Sequence, residues 1–273
     1  MLPFFIFTIL FIGFPAMFLV VGSLIVEETG SVGLDNFAGL SGPCCAVAFR
    51  NSIQLSLITA IIGALFGLLL AAAVILGGLP GFLRSALMTF SGVASNFAGI
   101  PLALAFIFTL GNLGLVTQLL KDLFGLSLRD TGFSLYSLTG LAVVYLYFQF
   151  PLMVLVIAPA IEGLRKEWRE AAENLGATPA QYWRKVALPI LMPSILGAGI
   201  LLFGNSFGAQ ATAYQLSGGT IQLTTLVITA QMSGDVLFNP GLGYAVAMGM
   251  VIIMGLCIAA YSVLMRRAER WRS

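Results

Sequence analysis

The sequence predicts an all-α membrane protein that crosses the bilayer six times. Three observations lead there. Of 273 residues, 59% are apolar and only 9% are charged, where an ordinary soluble domain carries about a quarter. Mean hydropathy is +1.01, and a soluble chain of that composition has too little polar surface to cover itself. The apolar residues also fall in runs of about 20 or more, each long enough to cross ~30 Å of hydrocarbon as a helix. They lack the ten-residue alternation of a transmembrane barrel. A cytoplasmic enzyme and a disordered chain are both excluded.

The first span, 3–26, is read as retained. It has no basic n-region, outruns a signal's apolar core and meets no small-residue cleavage site. The second, 51–76, contains Gly63 and Gly67, four apart, which predict close helix packing. The third, 86–110, carries Asn96 and Pro101. The fourth, 132–160, carries Gln149, Pro151 and Pro159, and the three prolines predict kinks. The fifth, 190–216, follows the most polar connection, and the sixth, 241–265, leads into basic residues. The expected organisation is an N-terminal helix and outer loop over 1–50, a five-helix core over 51–265 with a polar loop at 161–189, and a basic tail over 266–273.

Charge sets the orientation. Arg84, then Arg165, Lys166, Arg169, Arg184 and Lys185, then Arg266, Arg267, Arg270 and Arg272 lie on one side; they are ten of the 13 Lys and Arg residues. The other side holds Arg50, Lys121 and Arg129, with Glu27, Glu28, Asp35, Asp122, Asp130 and Asp235. The basic side is expected to be cytoplasmic, with both termini there.

Several absences limit the chemistry. There is no histidine, the commonest acid–base group and metal ligand. Cys44, Cys45 and Cys257 show neither a zinc spacing nor a disulfide framework and are read as unpaired thiols. No G-x4-G-K-[ST] phosphate loop is present. No Asp, Glu, Lys or Arg falls well inside a span, whereas ion-coupled carriers usually keep one there. An ion-coupled secondary transporter stays as the alternative reading, since backbone carbonyls also bind sodium.

The loop from Glu162 to Pro189 reads as two short helices with a sharp break. Leu164, Trp168, Ala171 or Ala172, and Leu175 recur on one helical face. Glu162 with Lys166, and Arg169 with Glu173, sit four apart. Gly176 suits a left-handed C-cap. Thr178-Pro179-Ala180-Gln181 has the form of a capping box, with a second helix running to Leu188-Pro189. The small residues suit the docking of another backbone; an amphipathic loop on the headgroups is the other reading.

Glu170-Ala171-Ala172, three residues, Gly176, nine residues, Val186, one residue and Leu188-Pro189 resembles the EAA loop of ABC-importer permeases, EAA-x3-G-x9-I-x-LP, with valine for isoleucine at 186. The wider resemblance, to the binding-protein-dependent inner-membrane component, runs from about Asn51 to Leu264. It implies the type I ABC importer permease fold in a bacterial inner membrane. It implies that a dimer of ATP-binding cassette ATPases grips the loop, making 161–189 a coupling loop, and that a second permease subunit completes the path. An extracytoplasmic solute-binding protein then delivers a small-molecule solute. ATP and Mg belong to the ATPase, so this chain holds no cofactor, does no catalysis, and meets lipid but no nucleic acid.

Polar residues within spans mark helix contacts or a water-filled path. They are Asn96, Gln149, Asn205, Ser206, Gln210, Thr212, Tyr214 and Gln215, densest from Asn205 to Gln215. Gly204-Asn205-Ser206-Phe207-Gly208 matches a G-x-S-x-G elbow, but a Ser–His site needs a histidine, so Gly204 and Gly208 are read as packing positions. Leu216-Ser217-Gly218-Gly219 resembles a Gly-Gly turn of spermidine/putrescine-type permeases. A polycation path is expected to carry acidic residues, and only Asp235 is near.

Overall fold

The apolar runs do become helices. The computed structural model describes residues 2–25, 31–125, 132–233 and 239–270. Glu27, Glu28, Arg129, Asp130, Asp235, Arg272 and the side chains of Arg266, Arg267 and Arg270 lie outside the described residues. Six helical stretches are long and apolar enough to cross a membrane: Phe4–Leu24, Pro43–Leu76, Ile100–Phe124, Leu138–Glu162, Pro179–Phe207 and Pro240–Val263. Among the described residues the only extended pairing is one bridge between Ile25 and Val32.

The chain divides into two compact units, Met1–Gln54 with Gly218–Cys257, and Leu55–Ser217 with Ile258–Ser273. In the first unit, α1 (Leu2–Thr8) continues through a π turn into α2 (Phe14–Leu24). The short α3 (Asp35–Ala38) is held to it by Asn36, whose Nδ2 donates to the carbonyls of Ser23 and Ile25. The opening turns of α4 (Pro43–Leu76) pack Cys45 and Ala48 on Val227 and Val246. All three cysteines are free thiols. Helix α4 starts earlier than the expected residue 51, with Pro43 in its first turn, where a missing N–H costs nothing. Its 34 residues extend about 51 Å, so Arg50, two turns in, belongs to the excess over the hydrocarbon.

The second unit holds the rest of α4, then α5 (Gly81–Asn96), α6 (Ile100–Leu110), α7 (Leu115–Phe124), α8 (Leu138–Glu162), α9 (Lys166–Asn174), α10 (Pro179–Tyr182), α11 (Leu188–Phe207) and α12 (Ala211–Ser217). Helix α5 lies along α8, with Arg84 paired to Glu162 at one end and Phe97 against Tyr147 at the other. Gly63 and Gly67 of α4 face Gln149 and Met153 of α8 so closely that a Cβ would stand 2.9 Å and 2.5 Å from the partner Cβ atoms, which bears out close packing there.

Three expectations change. The run 86–110 is not one helix: α5 ends at Asn96, Gly99 takes φ +76°, and α6 begins at Ile100 with Pro101 in its first turn rather than at a kink. The fifth run is also broken, between α11 and α12 at 208–210. Gly208 ends α11, and a Cβ there would meet only the Gly204 carbonyl of its own helix. Glu162 and Lys166 do not share a helix, because α8 stops at Glu162 and α9 starts at Lys166; Glu162 turns to Arg84 instead. Pro151 and Pro159 do lie inside α8.

Candidate functional site

Two arrangements in the second unit carry the functional argument: the elbow formed by α9 and α10, and a pair of helix breaks at its far end.

The elbow is built by local capping. Gly176 takes φ +76°; its N–H donates to the Glu173 carbonyl at 2.9 Å and the Ala177 N–H to that of Ala172 at 3.0 Å. This is the Schellman pattern, and it satisfies carbonyls that a helix end leaves open. Thr178 then starts α10: Gln181 N–H donates to Thr178 Oγ1 at 3.3 Å and Thr178 N–H to Gln181 Oε1 at 2.8 Å. Both caps stand as their residues predict.

Helix α10 does not stop at Leu188-Pro189. It passes through a π turn, Trp183–Ala187, into α11. Pro189 has no N–H for the Lys185 carbonyl, and its ring would clash with that carbonyl in a tight α turn. The wider turn, in which Leu188 N–H donates to Trp183 O, accommodates it. The motif's Val186, Leu188 and Pro189 therefore lie within one continuous helix, Pro179–Phe207.

Helix α9 has two unlike faces. Trp168, Ala171 and Leu175 are exposed, Leu175 to 88%. Lys166, Glu170 and Glu173 line a groove on the other side, and Ala172 is half-buried. Arg169 pairs with Glu173 at 2.9 Å, as its spacing predicts.

The breaks lie at the opposite end of α8. Tyr145, the eighth residue of α8, donates its hydroxyl to the Ala209 carbonyl at 2.5 Å, about 10 Å in from the Leu138 end. A 25-residue helix is about 38 Å long and exceeds the hydrocarbon by only a few ångströms at each end. The break at 208–210 is thus at membrane depth. The second break is tied to the first: Gly99 N–H donates to Thr212 Oγ1 at 2.8 Å, and Thr212 Oγ1 donates back to the Gly99 carbonyl at 3.3 Å.

The polar residues sort into two groups. Gln149 is fully buried, with Nε2 donating to the Leu202 carbonyl at 2.9 Å. Ser206 is buried against Thr59 at 2.9 Å. Thr59 spends its hydrogen on Leu55 O at 2.9 Å, so Ser206 is the donor. Asn96, Asn205, Gln210 and Tyr214 are exposed; Asn96 immediately precedes one break and Gln210 ends the other. Tyr145, Thr59 and Gly99 were not singled out from sequence. Among the described residues no group of three metal-ligating side chains occurs.

The model of the binding-protein-dependent transport system inner membrane component matches residues 63–272. The trehalose transport system permease protein SugB of Mycobacterium tuberculosis is 28% identical over 87% of this chain and 79% of its own length. The sulfate transport system permease protein CysT of Salmonella typhimurium is 29% identical over 71% of this chain and 68% of its own. A bacterial ABC transporter involved in alginate import has the same fold, with TM-score 0.75 at 18% identity over 97% of this chain and 93% of that one. None of these supports the ion-coupled alternative. With these matches over six apolar helices, the chain belongs to the family of inner membrane components of binding-protein-dependent transport systems, as a multi-pass permease subunit.

Proposed function

We propose that the chain forms half of a solute path in an ATP-driven importer, the path running past the two helix breaks and the drive entering at the elbow. One observation carries the reading: a single helix starts at the capped elbow and ends at the break beside Gln210. Unwound backbone at membrane depth is tolerated only against protein or along a water-filled cavity. Here the Ala209 and Gly99 carbonyls at the breaks are taken by Tyr145 and Thr212, and beside them stand the exposed side chains of Gln210 and of Asn96, whose Nδ2 donates to the Gly92 carbonyl at 2.9 Å. Such amides are costly against lipid and suited to a wet path.

A separate ATPase pair would grip the outward face of α9 through Ala171 and Leu175, with Glu170 at its edge and Ala172, Gly176, Val186, Leu188 and Pro189 shaping the elbow. ATP and Mg would be bound by that partner. A second permease subunit would complete the path, and an extracytoplasmic binding protein would load it. Relatives bear the names of trehalose, sulfate and, at 33% identity over 45% of this chain, spermidine/putrescine permeases. The exposed polar groups beside the breaks are uncharged hydrogen-bonding groups, which suit a small polar solute. Gln149 and Ser206 act in helix packing in this conformation.

Two measurements test the reading. Gln210→Leu and Tyr214→Ala should each lower transport about tenfold, by ~1.4 kcal/mol of lost interaction, while the ATPase still co-purifies. Loss of co-purification in both would sink the path assignment. For orientation, single cysteines at Leu175 and Leu34, 88% and 69% exposed, in a background without Cys44, Cys45 and Cys257, should label from opposite sides, with Leu175 cytoplasmic. Labelling from one side would show that the span count is wrong.

A further inference from the structure

The long helix keeps its buried side along one stripe, and the stripe changes spacing once. From Gln181 to Ile200 the buried residues are Tyr182, Ala187, Leu191 and Ala198. Ala187, Leu191 and Ala198 follow one another at four and seven, the spacings that hold one face of an α-helix inward. Tyr182 to Ala187 is five. Five α-helical residues turn through about 500°, which would leave Tyr182 some 140° away from the stripe. The π turn Trp183–Ala187 removes the mismatch, because its i→i−5 bond takes up one more residue per turn. Tyr182 is therefore only 8% exposed, while Trp183, the residue that an unbroken α-helix would bring into phase, is half-buried. Proline alone does not account for the widening: Pro193 lies inside α11, four residues after Pro189, with no π turn around it.

The turn also divides the elbow from the rest of the rod. Helix α10 and the capped break at Gly176–Thr178 lie before it, and the buried residues from Leu191 onward lie after it. Wound as α-helix throughout, the same sequence would carry α10, and α9 with it, about 100° further around the rod axis. We propose that the extra residue in this turn sets the direction in which the elbow faces the ATPase, with Tyr182 as the positioning side chain that seats it. The inference rests on the docking role given to the elbow above. The direction depends on the number of residues in the turn rather than on which they are, and Arg184 and Lys185, both exposed, supply the count.

Changing that count is the test. Deleting Arg184, or Lys185 instead, places Tyr182 and Ala187 four apart. The bond from Leu188 N–H to the Trp183 carbonyl then becomes an ordinary α-helical one, and the stripe keeps its phase without a π turn. In reconstituted vesicles either shortened chain should bind the cognate ATPase within about twofold of the parent, with no lower unfolding temperature. Inserting one alanine between Arg184 and Lys185 makes the spacing six, and should weaken association at least about tenfold. If both deletions unfold the protein, or weaken association as much as the insertion does, the proposal is overturned; an insertion that binds normally overturns it too. Gly176→Val in the same assay separates the two claims. If it binds normally, the elbow is not the docking element and the inference falls with that reading. If it binds poorly while all the length variants bind alike, only the phase assignment is wrong.

Discussion

Gly176→Val is expected to leave the protein inserted and folded while at least about tenfold of its association with the ATPase, or of solute-stimulated hydrolysis, is lost. Gly176 holds φ +76°, where a Cβ crowds the following carbonyl at a cost of about 1–2 kcal/mol for an ordinary residue and more for a β-branched one. Relaxing that strain moves φ and breaks the two hydrogen bonds that close α9, from Gly176 to Glu173 and from Ala177 to Ala172. The nine residues of α9 are too few to hold a helix alone, so the docking face loses its direction. A Cβ at Gly176 meets nothing within 4 Å; the effect is therefore conformational, and Gly176→Asn, which tolerates a left-handed backbone, should recover most of the coupling. ATPase pull-downs and hydrolysis in reconstituted vesicles decide the matter. A valine variant that couples normally, or an asparagine variant as damaged as the valine one, removes the elbow from the mechanism.

Gly67→Val should instead damage the fold. A Cβ at Gly67 would stand 2.5 Å from Met153 Cβ, 2.8 Å from Met153 Cγ and 3.1 Å from the Phe150 carbonyl. The carbonyl belongs to the backbone of α8 and cannot rotate away, and Gly63 makes a like contact with Gln149 one turn earlier. Valine must push α4 from α8, with an expected loss of about 3 kcal/mol in unfolding from mixed micelles. Gly199→Val is the control, since a Cβ there meets nothing within 4 Å, and it should change stability by less than ~0.5 kcal/mol. Equal stability of the two variants would refute the close contact.

What could be read beforehand follows the range of the interactions. The left-handed Gly176 and the Thr178–Gln181 box involve residues a few positions apart, so the sequence shows both partners at once. The helix breaks do not have that property. Hydropathy averaged over 86–110 passes across the three residues between α5 and α6, and the groups that make the break tolerable come from far along the chain: Thr212 for Gly99, 113 residues away, and Tyr145 for Ala209, 64 away. The same limit explains the polar residues. Composition shows Gln149 and Gln210 as equivalent amides, yet one is sealed between helices by the neighbouring glycine and the other ends a break. Leu188-Pro189 misled for a local reason, because proline stops an α-helix but not one that widens into a π turn.

The unbroken helix from Pro179 to Phe207 also sets a mechanical ratio. Its 29 residues make a rod of about 43 Å, held at Leu202 and Ser206 by Gly63 and Thr59 of α4 and Gln149 of α8. Both positions lie in the last two turns before Phe207, so the elbow is the long arm. A tilt of roughly 5° about Leu202 displaces the elbow by about 3 Å and the far end by less than about 1 Å, within the range of helix shifts that packed bundles make. The two hydroxyl ties at the breaks lie beside the short arm, so a stroke at the elbow reaches them geared down about fivefold.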